Sequence, residues 1–391
     1  MQWAAAAADG GSLEQNLERA GGEIWEQLDH APPDLVLVFV GAAVREHQGR
    51  LAALLKQLFG DALILGCSAA GVIGSGREIE GRPGLALLAA RLPGVALTPF
   101  HVENADLPTV ATASAWRSQI GTPASERSHF LLLADPLSFD TQPLLEGLDR
   151  TYPGTVKLGG LASGADNSRY HALYLDNVVY RSGLVGVALN GALSIEPVVA
   201  QGCRPIGQPL FVTAADGERI RGLDGCSPLA VLQELYQRLM PEERGLFQQG
   251  LFLGLALDPM AQNTAERFLI RNLLGLERED GALLVGSRVP VNSVVQFHLR
   301  DPTAATTELD RLLARAAAGS DMPAGALLIS CLGRGQGFYG EPDHDSHLFG
   351  RHFGPVPLGG FFANGEIGPV AGTTQVHTYT SAFALFRSRL D

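Results

Sequence analysis

Three stretches of the chain follow one plan, and that repetition constrains the fold more than any other feature. The first runs Leu35-Val-Leu-Val-Phe-Val-Gly41, then a helical stretch from Val44 to Phe59, then Ala62-Leu-Ile-Leu-Gly66-Cys67-Ser68-Ala-Ala-Gly71. The second runs Phe130-Leu-Leu-Leu-Ala-Asp135, a helix from Thr141 to Arg150, then Thr155-Val-Lys-Leu-Gly159-Gly160-Leu-Ala-Ser163-Gly164. The third runs Ala326-Leu-Leu-Ile-Ser-Cys331-Leu-Gly333-Arg334-Gly335, a polar stretch from Asp343 to Phe353, then Val356-Pro-Leu-Gly359-Gly360-Phe-Phe-Ala-Asn364-Gly365-Glu366. Short continuous apolar runs bounded by Gly and Pro indicate strands covered on both faces. A further apolar strand follows each glycine turn, at Leu85–Ala90, Leu184–Leu189 and Ala382–Phe386. The pattern reads as an internal repeat. The expected fold is α/β, with repeated strand-loop-helix-strand-glycine-turn-strand units forming mixed sheets in two related halves.

Between the units, Asn190-Gly191 predicts a hairpin joining residues 184–189 to 192–197, since Asn-Gly favours the tight turn of paired strands. A second hairpin is expected around Asp216-Gly217. Pro228 to Met240 carries Leu229, Leu232, Leu235 and Leu239 at helical spacing. Strands are expected at 251–257 and 294–299, and a helix from Thr303 to Ala318. A length of 391 residues suits two domains. The expected boundary lies near Asp224, dividing the chain into residues 25–224 and 225–387.

With 46% hydrophobic and 18% charged residues, the chain has ample material for a packed interior. Its net charge is −12, with no Lys/Arg stripe to offset it, so nucleic acid is not an expected partner. Cys67, Cys203, Cys226 and Cys331 form no C-x-x-C pair and have no zinc-finger spacing to histidine. Free thiols, no signal-like N-terminus and no apolar run of membrane-spanning length lead to the expectation of a cytoplasmic protein without a membrane span.

Several chemical motifs fail. Gly333-Arg-Gly-Gln-Gly337 lacks the helix that a dinucleotide fingerprint must open, because Glu341-Pro342-Asp343 follows. There is no P-loop, and Gly66-Cys-Ser68-Ala-Ala-Gly71 is one residue too long for a nucleophile elbow. Asp343, His344, Asp345, His347 and His352 are dense enough to supply metal ligands, yet match no named metal motif. The alternative is a solvated loop with Asp343 or Asp345 capping a helix. No cofactor is expected.

Cys331 should end a buried strand, where α/β sheets place their ligand crevice. The loop Gly333-Arg334-Gly335 brings backbone N–H groups and a guanidinium to that point, able to clamp a carboxylate or lower a thiol pKa. Cys67-Ser68, Gly159-Gly160 and Gly359-Gly360 end the other strands, where close approach by a ligand or by another backbone are both open readings. Asn364, Glu366, His377 and Tyr379 interrupt an apolar region and need a binding or packing reason.

These motifs resemble the FIST (F-box and intracellular signal transduction) family. The resemblance rests on Gly66-Cys-Ser-Ala-Ala-Gly71, Gly159-Gly-Leu-Ala-Ser163, Gly202-Cys-Arg-Pro-Ile-Gly207, Cys331-Leu-Gly-Arg-Gly335 and Pro357-Leu-Gly-Gly-Phe-Phe-Ala-Asn-Gly-Glu-Ile-Gly-Pro369. Gly71 is followed by Val72, where the resemblance leads one to expect an acidic residue. It implies a FIST N-terminal domain, a FIST C-terminal domain, and a sensory module for small ligands such as amino acids. It also implies signalling through a separate protein partner. In that reading Arg334 and loop N–H groups meet the ligand's carboxylate and Glu366 its ammonium. The alternatives are an adaptor without ligand, or an enzyme using Cys331 as nucleophile with His377 or His352 as base.

Overall fold

The computed structural model describes residues 1–41, 48–108, 112–123, 125, 127–165, 171–257, 268–319 and 321–389. The chain forms two compact units: Met1–Val199 with Asp310–Asp391, and Ala200–Leu309. The smaller unit thus interrupts the larger in sequence. The fold is α/β with mixed sheets.

In the larger unit the repeat is explicit. Its first copy comprises β1 (Gln2–Asp9), α1 (Leu13–Gln27), β2 (Leu35–Gly41), α2 (Gln48–Phe59), β3 (Leu63–Ala69), the hairpin β4 (Val72–Gly74) and β5 (Arg77–Ile79), and β6 (Gly84–Arg91). The second has β7 (Val95–Val102), α3 (Ala113–Ile120), β8 (Ser128–Ala134), α4 (Thr141–Thr151), β9 (Lys157–Leu161), the hairpin β10 (Leu173–Leu175) and β11 (Val178–Tyr180), and β12 (Leu184–Gly191). The third opens with β13 (Leu193–Ala200) and resumes after the interruption.

That interruption holds β14 (Cys203–Asp216), β15 (Arg219–Leu223), α5 (Pro228–Arg238), α6 (Pro241–Gln249), β16 (Leu251–Ala256), β17 (Phe268–Leu276), β18 (Leu283–Val285) and β19 (Val294–Arg300). The third copy then continues through α7 (Pro302–Ala317), β20 (Gly325–Cys331), α8 (Gln336–Tyr339), α9 (His344–Phe353) and β21 (Leu358–Ala363). It closes with the hairpin β22 (Glu366–Val370) and β23 (Thr373–His377), and β24 (Ser381–Ser388). The helix expected from Val44 is described from Gln48, its earlier residues lying outside the described ones.

Among the described residues, three six-stranded sheets share one order: β1-β6-β2-β3-β10-β11, β7-β12-β8-β9-β22-β23 and β13-β24-β20-β21-β4-β5. In each, the unit's two strands run parallel, with Leu35 opposite Leu63, Phe130 opposite Lys157 and Ala326 opposite Leu358. The return strand lies antiparallel along the first strand's other edge. The outer hairpin always comes from another copy. Repeat one's hairpin pairs with β21, repeat two's with β3 and repeat three's with β9. Each copy therefore completes the sheet of another, in a closed cycle.

Alternation along the strands sends one face inward and one outward. Leu37 and Phe39, Leu131 and Leu133, and Leu327 and Ile329 share one core to which all three sheets contribute, with Phe39 stacked on Phe361 at 4.7 Å. The opposite faces pack on helices: Val36 and Val38 on the residues of α1 and α2, Phe130 and Leu132 on those of α3 and α4. The helices start where local chemistry places them. Ser12 and Gln15 form a reciprocal capping box on α1, and Ser227 caps α5 with Pro228 at its first position.

The smaller unit is a closed barrel, ordered β14-β15-β18-β17-β16-β19, with β19 pairing back to β14. Val212, Ile220, Leu253, Val295 and Phe297 fill it, and residues of α5 and α6 pack against this core. Its entry and exit meet, since Gly202 N–H donates to the Glu308 carboxylate at 2.8 Å. The hairpin around Asp216-Gly217 forms as β14 and β15.

Three expectations are corrected. Asn190-Gly191 closes no hairpin, because both edges of β12 are taken by β7 and β8 while β13 lies beside β24 in another sheet. A helical turn, α8, does open directly after Gly335. The polar stretch from Asp343 is the helix α9, with His344 and Asp345 buried rather than solvated. Among the described residues no helix is long and apolar enough to cross a membrane.

Candidate functional site

Strand register identifies equivalent positions in the three copies. Val72, Leu173 and Glu366 each begin their hairpin and sit opposite Phe361, Cys67 and Gly160. These partners directly follow the close-packed glycine of β21, β3 and β9. Gly41, Asp135 and Cys331 follow Val40, Ala134 and Ser330, which face Leu85, Leu184 and Ser381. Repeat one fills these places with small or apolar groups. Repeat three fills them with Ser330, Cys331, Glu366 and Ser381, all buried.

Around them the third copy builds a buried polar centre. The loop after β20 turns Leu332 outward and Arg334 inward, leaving Arg334 only 2% exposed. Arg334 Nε lies 3.4 Å from the Asp345 carboxylate, and its Nη1 donates to Tyr379 O at 3.1 Å. Its guanidinium also lies 5.4 Å from the centre of the Tyr339 ring, which stacks on His344 at 3.4 Å. Asp345 accepts from the Ser330 hydroxyl at 3.1 Å and from the Ser381 hydroxyl, and lies 2.9 Å from His344 Nδ1. Burial works against its charge. The Arg334 guanidinium, the His344 ring and the Ser381 hydroxyl outweigh it and hold the carboxyl well below the usual range.

Glu366 behaves in the opposite way. It is fully buried, accepts from Thr380 N–H at 3.1 Å through Oε2 and from the Cys331 thiol, and its Oε1 has no hydrogen-bond partner among the described residues. Burial pushes its carboxyl well above the ordinary value. Burial, and next the Glu366 charge, push the Cys331 thiol up to about 12. A thiol at that value stays protonated at neutral pH and is a weak nucleophile. Of the two histidines considered as its base, His377 Nε2 is bonded to Gly368 O at 3.1 Å and His352 Nε2 to Asp310 at 2.8 Å.

A further carboxylate reaches this region from the first copy. Glu78, on β5, accepts from Ser346 N–H at 2.8 Å and from its hydroxyl at 3.0 Å, and its own N–H donates to Asp343 at 2.5 Å. Its Oε2 is buried without a hydrogen-bond partner among the described residues. Burial, then the Asp345 charge, raise it to about 8. Glu80 accepts from Gln336 N–H at 2.9 Å beside Gly335, where a Cβ would fall 2.3 Å from the Glu80 carboxylate.

Of the residues singled out in the sequence, Cys331, Arg334 and Glu366 converge, with Gly333 donating its N–H to Cys331 Sγ at 3.5 Å and Gly335 on the same loop. His377 lies opposite Glu366 on β23. Others stand apart. Cys67 is wholly buried in the shared core, and Ser68 Oγ accepts from Ala172 N–H at 3.0 Å. A Cβ on Gly159 or Gly360 would fall 1.8 Å from the carbonyl oxygen of Leu132 or Leu328. On Gly160 it would meet Ile329 at 2.7 Å, and on Gly359 Leu88 at 2.7 Å. Close packing accounts for all four. Asn364 is exposed, its N–H donating to Leu161 O.

The three histidines diverge. His344 is buried against Asp345, His347 is exposed, and His352 bonds Asp310. Among the described residues no group of three or more His, Cys, Asp or Glu is placed to hold a metal ion. Sequence reasoning missed Ser330, Ser381, Tyr339 and Glu78. It also missed a second buried cluster, in which Asp135 bonds His171 Nδ1 at 2.7 Å and the Ser138 hydroxyl at 2.5 Å.

Comparison with known proteins agrees with these motifs. The FIST N domain matches residues 34–226 and the FIST C domain residues 228–369. Uncharacterized protein Rv0628c of Mycobacterium tuberculosis (strain H37Rv) is 38% identical over 363 residues, covering 92% of this chain and 93% of that protein. Uncharacterized protein Mb0898c of Mycobacterium bovis is 35% identical over 369 residues, covering 94% of each. A crystal structure of cyanuic acid hydrolase from A. caulinodans aligns over the full length of both chains at 10% identity, but its TM-score of 0.33 carries no argument. FIST domains are signal-transduction sensory domains, and this chain belongs to the FIST family.

Proposed function

We propose that the protein is a small-ligand sensor whose site is the polar centre of the third repeat, and that its ligand is an amino acid or a closely related zwitterion. The observation that carries this is Glu366: a fully buried carboxyl with one oxygen unpartnered among the described residues, beside the Arg334–Asp345 pair. Such a group costs stability unless something uses it. The equivalent residues Val72 and Leu173 show that the fold itself does not require it.

Charge selects the ligand class. Arg334 is balanced by Asp345, while burial disfavours charge on both Glu366 and Cys331, so an added bare anion or cation would stand uncompensated in a buried place. A zwitterion would not. Its carboxylate would meet Arg334 and the N–H groups of the 333–335 loop, and its ammonium Glu366 Oε1. Signal output then passes to a separate protein partner.

The test is thermal unfolding against a panel of amino acids, carboxylates, amines, nucleotides and divalent metals. A true ligand at a hundred times its Kd adds about 2.7 kcal/mol. The shift should be confined to zwitterions, vanish in Arg334→Ala and weaken in Glu366→Gln, which keeps the shape of the neutral acid. A shift by bare carboxylates alone, or one untouched by both variants, would reject the assignment. Silence across the panel would favour an adaptor instead.

A further inference from the structure

The barrel unit contains a cleft that the polar centre does not explain. Its volume is about 560 Å³, and it is lined by residues of β14, α5 and α6 together with Phe297 of β19. That size suits a small organic molecule. Ile206, Leu210, Val231, Leu235 and Phe297 make its walls apolar. Backbone geometry keeps one wall open: Gly207 has φ +64°, and a Cβ there would fall 2.9 Å from Leu235 Cδ1.

The charged residues at its edge define what can enter. Arg204 is already held by two carboxylates, Glu243 at 2.9 Å and Asp301 at 3.1 Å. Arg238 is paired with Glu234 one turn earlier on α5. Among the described residues the lining holds three acidic residues, Asp224, Glu234 and Glu243, against the two arginines. The Arg204 guanidinium keeps the Glu243 carboxyl below its usual value, so that charge persists at neutral pH. Among the described residues of the lining, an anionic ligand would therefore meet an excess of negative charge and no uncommitted cation. We propose that this cleft is a binding site for a neutral, predominantly apolar small molecule.

Cys226 supplies a reporter. It lines the cleft and is the exposed cysteine, whereas Cys67, Cys203 and Cys331 are buried. The experiment uses the full chain and two probes of the same aromatic skeleton: neutral N-phenyl-1-naphthylamine and its anionic 8-sulfonate. The neutral probe should bind saturably, with a fluorescence rise. At about ten times its Kd it should slow iodoacetamide labelling of Cys226 about tenfold, as mass spectrometry reads directly. The sulfonate should bind at least about tenfold more weakly. Val231→Trp, which fills the cleft, should weaken the neutral probe by about tenfold or more while Cys226 is still labelled.

No binding by the neutral probe overturns the proposal, as does binding that leaves the Cys226 rate unchanged or is untouched by Val231→Trp. Equal affinity for the sulfonate overturns the ligand class. Should Val231→Trp fail to fold, protection of Cys226 in the unmodified protein decides alone.

Discussion

Glu78 is where a single residue links two copies of the repeat. It belongs to the hairpin of the first copy, yet its carboxyl sits at the start of α9 in the third, 268 residues from its partner Ser346. The groups facing it are Asp343 and Asp345 of that helix and its approach, and Glu80 of its own hairpin's end. Its acidity follows from this crowding. In the unfolded chain it titrates near the ordinary carboxylate value, and in the folded protein at about 8. The folded state therefore holds a proton that the unfolded state has already lost between these values. Stability from this group is complete below the unfolded value and falls as pH rises towards 8. Glu78→Gln cannot ionise and keeps an oxygen for Ser346. Between pH 5 and 8 the melting temperature of the natural protein should fall relative to that of Glu78→Gln, by an amount reflecting a few kcal/mol. Parallel melting curves across that range would show that the Glu78 carboxyl does not titrate there.

At the scale of elements, one close contact recurs in all three sheets. Gly66, Gly159 and Gly360 sit opposite Val38, Leu132 and Leu328, where the second strand of the unit pairs with the first, and a Cβ at any of them would lie 2.0, 1.8 or 1.8 Å from a neighbouring carbonyl oxygen. Alanine at each should cost roughly 3 kcal/mol or more, because backbone cannot yield as a side chain can. The exposed Gly22 in α1 has no atom near its missing Cβ, so Gly22→Ala should instead gain about 0.5–1 kcal/mol. Urea midpoints of the four variants test both signs, and equal effects at Gly22 and Gly66 would refute the packing argument. Such glycines are what made the three units legible in the sequence, since paired small residues ending an apolar run survive in every copy. The hairpin exchange was not legible. β4, β10 and β22 are short, follow their own unit closely in sequence, and carry nothing that names a partner in another copy. Asn190-Gly191 misled for a related reason: turn chemistry is local, and the competing edges of β7 and β8 are not. The same division holds at the site. Cys331, Arg334 and Glu366 stood out as polar residues at strand ends, whereas Asp345 was read with the neighbouring histidines and Glu78 gave no signal.

For the whole molecule, the topology distinguishes a closed cycle from an insertion. Each sheet of the larger unit is completed by a hairpin from another copy, so no copy has a full sheet of its own, and the three should unfold together rather than in sequence. The barrel unit differs. It closes on itself through β19 and β14, has its own core, and its two ends are joined by the bond from Gly202 to Glu308. Insertions with neighbouring ends are the ones a host fold tolerates losing. Replacing residues 203–300, whose ends pair at Cys203 and Arg300, by a short Gly/Ser linker should therefore leave a protein with one cooperative melt. That protein should keep the zwitterion-dependent stabilisation assigned to Arg334 and Glu366, and lose binding of the neutral naphthylamine probe together with the cleft. Calorimetry and fluorescence titration read the two sites separately. Retention of probe binding would place that site outside the barrel unit. A shortened chain that never melts cooperatively would show that the three sheets depend on the barrel unit for their stability, and that the interruption is a structural member of the fold rather than an addition to it.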